Sequence, residues 1–120
     1  MAQISQTIPG FDFPRSLPAC FHAVGPLRYD PLTVSSGKKK PFVFASLGTI
    51  QGYRFGLFRT IARACRQAGV PLLIAHCDRL NASQTARLAR TGTQIVGFTD
   101  QLAVLRDASA VITHAGLNTV

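Results

Sequence analysis

From residue 42 onward, short apolar runs alternate with stretches of helical periodicity. Phe42-Val43-Phe44-Ala45-Ser46-Leu47 lacks polar alternation and ends at Gly48-Thr49, the pattern of a strand buried on both faces. Phe58, Ile61, Ala62 and Cys65 then recur at i, i+3, i+4 and i+7, while Arg59, Arg63 and Arg66 take the other side. This predicts a helix over about residues 53–68, closed by Gly69. Pro71-Leu72-Leu73-Ile74-Ala75-His76 reads as a second buried strand, and Asn81 or Ser83 can cap a weaker helix through Arg90. Gln94-Ile95-Val96-Gly97-Phe98 is a third strand, a helical turn covers residues 101–106, and Ala110-Val111-Ile112-Thr113 is a fourth. Strands and helices in this alternation predict an α/β fold, with parallel strands near 42–47, 72–76, 94–98 and 110–113 joined by right-handed crossovers.

The first 27 residues follow another rule. They hold four of the seven prolines (Pro9, Pro14, Pro18, Pro26), which forbids long helices and leaves one brief strand within 19–24. Residues 28–41 turn polar through Ser35-Ser36-Gly37-Lys38-Lys39-Lys40, the composition of a linker. A boundary therefore separates 1–27, expected outside the sheet, from 42–120.

Hydrophobic residues make up 47% of the chain and charged ones only 15%, so a packed core is affordable and disorder is excluded as a class. Thirteen basic against five acidic side chains give a net charge of +8, which suits nucleic acid, an anionic membrane surface or an anionic small molecule. The arginines are spread over several predicted elements and the one dense run, Lys38 to Lys40, falls in the linker, so most of this charge reads as solvated helix faces. Cys20, Cys65 and Cys77 are odd in number and lack metal-ligand spacing, which suggests neither a disulfide framework nor a metal site and fits a cytoplasmic setting. No apolar stretch approaches the ~20 residues of a membrane span.

Two predicted strand ends carry ligand chemistry, and parallel sheets bind ligands beyond the carboxyl ends of their strands. His114-Ala115-Gly116-Leu117-Asn118-Thr119 offers a small backbone at Gly116 and polar side chains where a helix should begin. Free N–H groups there favour a phosphate, although Asn118 or Thr119 capping its own helix explains the segment equally well. Gly48-Thr49 reads as a simple turn or as a phosphate contact. No Walker pattern and no three-glycine dinucleotide fingerprint is present. His22 and His76 lie in or beside apolar runs and read as packed histidines.

The stretch from Phe98 onward resembles the first half of the donor signature of the UDP-glycosyltransferases with the two-domain GT-B fold. In that family an aromatic ring stacks on uracil, a glutamine follows, and a His-x-Gly-x-Asn-Ser/Thr group holds the diphosphate. The matching positions are Phe98, Gln101, His114, Gly116, Asn118 and Thr119. Phe44-Ala45-Ser46-Leu47-Gly48-Thr49 is similar to the family's first C-domain strand and its phosphate-contacting loop, and Gly25-Pro26-Leu27 to the exit from the N-terminal domain. The wording of Phe13-Pro14, of residues 18–24 and of residues 46–52 is most similar to bacterial carotenoid glucosyltransferases. One departure is Phe98, where plant members usually carry tryptophan; a phenyl ring stacks over less area.

The resemblance implies that 1–27 ends an N-terminal acceptor domain, 28–41 is the interdomain linker, and 42–120 is the first part of a Rossmann-like C-terminal domain. It further implies transfer of glucose from UDP-glucose to a hydroxyl of a carotenoid such as zeaxanthin, without metal or other cofactor. The family's catalytic base and acidic ribose contact match no residue here, so no catalytic residue is assigned and the chain alone is expected to be inactive. A lipophilic acceptor implies peripheral membrane contact at the inner face, which the basic linker could assist. A transferase for another lipophilic acceptor, such as a macrolide or sterol, shares the donor half. A nucleic-acid-binding module would need clustered basic residues with interleaved aromatics, and the sequence scatters them.

Overall fold

A computed structural model describes residues 1–8, 10, 13–25, 27 and 41–116. The chain divides into two compact units, Met1–Leu32 with Ala115–Val120, and Thr33–His114. The expected linker lies outside the described residues apart from Pro41.

In the first unit, β1 (Gln3–Ser5) pairs in parallel with β2 (Phe21–Ala23), Ile4 standing opposite His22. The strand expected within 19–24 is present as β2; β1 was not legible, because Gln3-Ile4-Ser5 is too short to show a period. These strands form a sheet of their own. His22 is exposed, not packed as its apolar neighbours suggest, because β2 has one partner strand and leaves two of its three residues open.

The second unit is a four-stranded parallel sheet of order β5-β4-β3-β6, made by β3 (Val43–Ser46), β4 (Leu72–Ala75), β5 (Gln94–Val96) and β6 (Ala110–Thr113). All three pairings are parallel, so the fold class read from the alternation is present: a Rossmann-like α/β sheet with crossover helices. The crossovers are α1 (Gly48–Gln51) with α2 (Phe55–Gln67), then α3 (Ala82–Ala89), then α4 (Gln101–Asp107). The predicted helix over 53–68 thus starts later, and a separate single turn, α1, precedes it.

The helix ends follow local chemistry. After α2, Gly69 has φ +67°; its N–H donates to Arg66 O and that of Val70 to Cys65 O, a Schellman closure. Asn81 and Gln84 cap α3 reciprocally: Gln84 N–H donates to Asn81 Oδ1 at 2.9 Å, and Asn81 N–H to Gln84 Oε1 at 3.0 Å. Asp100 caps α4 by accepting from Ala103 N–H at 3.1 Å.

Phe58, Ile61, Ala62 and Cys65 of α2 and Leu88 of α3 pack on Ala45, Leu72 and Ile74, joined by Leu47 and Leu80. Phe44, 1% exposed, lies outside this cluster, as expected for the strand residue facing the opposite side of the sheet. The right-handed crossover from β5 to β6, past β4 and β3, carries α4 to that side. There the cover is thin: α4 has no buried residue, and Val111 and Ile112 of the edge strand β6 are each 37% exposed. Among the described residues no helix is long and apolar enough to cross a membrane.

Phe58 is fully buried while Arg59 is exposed. Phe58→Ala should therefore cost about 3–5 kcal/mol and Arg59→Ala less than about 0.5 kcal/mol. Urea titration followed by circular dichroism would measure both; equal midpoints would mean that this core does not hold the sheet.

Candidate functional site

The sheet changes direction at β3. From β3 the chain adds β4 and then β5 on one side, and returns to add β6 on the other. In such sheets the crevice for a ligand opens beyond the carboxyl ends of the two strands at the reversal. Ser46 pairs with Thr113 at those ends, so the residues that follow, Leu47-Gly48-Thr49 and His114, leave the sheet side by side.

Gly48 has φ +68°, a conformation strained for any side chain, and a Cβ built on it would come 2.5 Å from His114 Cε1 and 3.0 Å from Nε2. The imidazole thus lies directly against the Gly48 backbone, with no gap between them. Glycine is required twice over, for its backbone angle and for the closeness of the ring. Gly48 N–H reaches back to Ser46 Oγ at 3.5 Å, which orients the turn. Gly52 closes the turn from below: it is buried, and a Cβ there would strike the carbonyl oxygen of His76.

The remaining expected residues spread along the same edge. Thr49 is exposed in the first turn of α1. Phe98, 65% exposed, follows β5, and half-buried Gln101 opens α4. Two strand spacings separate β5 from β3, about 10 Å, the scale of a nucleotide between base and phosphates. The structure therefore joins Gly48 to His114 directly and sets Phe98 and Gln101 apart at the far end of the edge. Gly116 is half-buried and falls in the first unit, whereas Asn118 and Thr119 lie outside the described residues.

Between the two ends lies a loop to which the sequence reading gave no ligand role. His76 is buried, as a packed histidine should be, and its Nδ1 accepts from Leu80 N–H at 3.2 Å. Cys77 and Asp78 follow with φ of 53° and 54°, and Cys77 N–H donates to Gly97 O at 2.7 Å. Consecutive left-handed residues that are not glycine cost energy and mark a turn held by its surroundings. The Asp78 carboxylate is pressed against Gly97, leaving no room for a side chain there. A lone aspartate between Cys77 and Arg79 carries no motif, so only the fold reveals its position. Burial pushes the Cys77 thiol above its usual range, and the neighbouring Asp78 charge adds to this. No three His, Cys, Asp or Glu side chains among the described residues converge as a metal site.

Two measurements test this geometry. Gly48→Ala should destabilise the chain by about 1–3 kcal/mol through forced backbone strain, and His114→Ala should recover part of that loss by removing the ring; strict additivity in the double variant would contradict the contact. Cys20 is exposed, Cys77 half-buried with a raised pKa, and Cys65 buried, so alkylation at neutral pH should modify Cys20 first and Cys65 only on unfolding. Mass spectrometry of the labelled sites checks the order.

Comparison with known proteins yields two curated relatives. The chain is 56% identical to the zeaxanthin glucosyltransferase of Pantoea ananas and 52% identical to that of Pseudescherichia vulneris, in both cases over its whole length. It spans about 30% of each relative. No family model and no solved structure matches. From end to end the chain is thus similar to one stretch of the zeaxanthin glucosyltransferases, members of the glycosyltransferase class that its motifs resemble.

Proposed function

We propose that the chain supplies much of the sugar-donor site of a glucosyltransferase that moves glucose from UDP-glucose to a hydroxyl of a carotenoid such as zeaxanthin. The observation that carries this reading is the identity of more than half of all positions with two enzymes of that name, over the full chain. The arrangement along the carboxyl edge is compatible with it. The exposed Phe98 ring is available for the uracil to stack on, with Gln101 beside it, and His114 and the Gly48-Thr49 turn stand where the diphosphate would reach.

His114 then acts as a donor to the diphosphate, and Gly116, Asn118 and Thr119 are assigned the same role by their match to the motif in sequence. Charge grows on the departing UDP as the glycosidic bond to it breaks, and donors already in place stabilise it without reorganisation. This is the work a metal ion does elsewhere, so the reading requires none. Phe98 contributes to binding rather than to the reacting centre, because base stacking is the same before and after transfer.

A chimera in which this chain replaces the matching stretch of the Pantoea ananas enzyme tests the proposal. It should glucosylate zeaxanthin from UDP-glucose; a folded but inactive chimera tells against it. Within the chimera, His114→Ala should slow single-turnover transfer about 10- to 1,000-fold, whereas Phe98→Ala should weaken UDP binding by about 1–3 kcal/mol. Unchanged rates and affinities in both variants would remove this site.

A further inference from the structure

The helical layer formed by α2 and α3 is charged in one sense only. Arg54, Arg59, Arg63, Arg66, Arg87 and Arg90 lie on or at the ends of these helices, all exposed, and neither helix contains an acidic residue. Successive residues of a helix are turned by about 100°, which sets Arg59, Arg63 and Arg66 in one stripe roughly 110° from the centre of the buried stripe. They therefore occupy a flank of α2, beside the sheet-facing side and not opposite to it. Thr91, in the turn after α3, meets that flank, and Arg59, Thr60, Arg63, Arg66 and Thr91 line a shallow groove of about 320 Å³. Arginines that read as scattered along the sequence are gathered by the fold.

Like charges at this spacing repel one another within a helix, and neither helix carries a carboxylate to offset them, so a bound anion would be stabilised there. Three guanidinium groups form a donor set suited to phosphate oxygens; the Thr60 and Thr91 hydroxyls, which already donate to Gly56 O at 3.2 Å and Leu88 O at 2.7 Å, shape the groove wall. The groove lies away from the donor residues. It is built from the middle and end of α2, which runs from the carboxyl edge of β3 back toward the start of β4.

We propose that this arginine flank docks the protein on an anionic phospholipid surface, the lipid phosphates entering the groove. The choice of a bilayer rests on the reading above, because an acceptor of that kind is dissolved in lipid and the enzyme must come to it. A nucleic acid fits less well. Single-stranded binding uses aromatic platforms interleaved with the cations, and the aromatic on this flank, Phe55, is half-buried beneath the Arg87 guanidinium at 5.4 Å. Exposed Leu57 falls on the other flank of α2, so the contact is with headgroups and without insertion.

Co-sedimentation of the chain with phosphatidylcholine vesicles, with and without 30 mol% phosphatidylglycerol, tests the docking. Binding should require phosphatidylglycerol and vanish in about 1 M salt, where screening acts within ~3 Å. Each arginine at an anionic surface contributes roughly five-fold in affinity, so R59Q/R63Q/R66Q should lose about 100-fold. R59K/R63K/R66K should retain most binding, and K38Q/K39Q/K40Q, with the same loss of net charge, should lose less than five-fold. If the triple glutamine variant fails to fold, R63Q alone should lose about five-fold. An equal loss in the lysine-run variant overturns the proposal in favour of unspecific net charge. Tighter binding of a labelled single-stranded oligonucleotide than of the anionic vesicles, lost in R59Q/R63Q/R66Q, overturns it in favour of nucleic acid. UDP titration of the chimera described above reads the donor site separately: vesicle binding by the chain without UDP binding by the folded chimera refutes the functional reading and upholds the docking surface, and the reverse result does the opposite.

Discussion

The structure depends on β3 pairing in parallel with strands on both sides. A strand in that position exposes neither edge, and its residues Phe44, Ala45 and Ser46 are buried accordingly. The same pairing fixes the site. Because β4 and β6 flank β3 in matched register, the three carboxyl ends lie abreast, and the turns leaving them can meet only at one edge of the sheet. A shift of one residue in the β3–β6 register would turn the β6 side chains to the other face and part the His114 ring from Gly48.

The alternation of apolar runs and helical periods made this second unit legible in advance. Four strands and their parallel arrangement followed from it, because buried parallel strands are continuous apolar runs and their crossovers must be helices. What escaped was set by contacts with no local signature. The strand β1 has three residues and draws its order from β2, eighteen positions away. The turn α1 ends at Gly52, which packs so closely on the His76 carbonyl that no side chain fits there, a long-range packing fact. His22 sits in an apolar run, yet its strand has too few neighbours to cover it.

Of the candidate site, residue types were legible and distances were not. Strand ends pointed to Gly48 and His114 and the family resemblance added Phe98, but that the imidazole rests directly on the glycine emerges only from the β3–β6 pairing. The position of Asp78 was hidden for a different reason. Its left-handed turn is imposed by hydrogen bonds to the end of β5, and single residues held in that way leave no trace in composition or period.

The charge distribution shows the same difference between sequence and space. Along the chain the arginines of α2 and α3 alternate with apolar residues, as any amphipathic helix requires. Packing one stripe of each helix on the sheet turns the remaining stripes outward together, and the absence of Asp and Glu from both helices then becomes a property of a surface. In a solvated face of no consequence both signs would ordinarily be interspersed, since opposite charges at i, i+4 stabilise a helix and like charges do not. A layer that forgoes every such pair keeps a positive potential over its flank, and the helices that carry it start at the carboxyl edge of the sheet, where Gly48 meets His114. The flank and the strand ends use different side chains, so the two proposed contacts, a nucleotide at the ends and an anionic surface along the flank, would not compete.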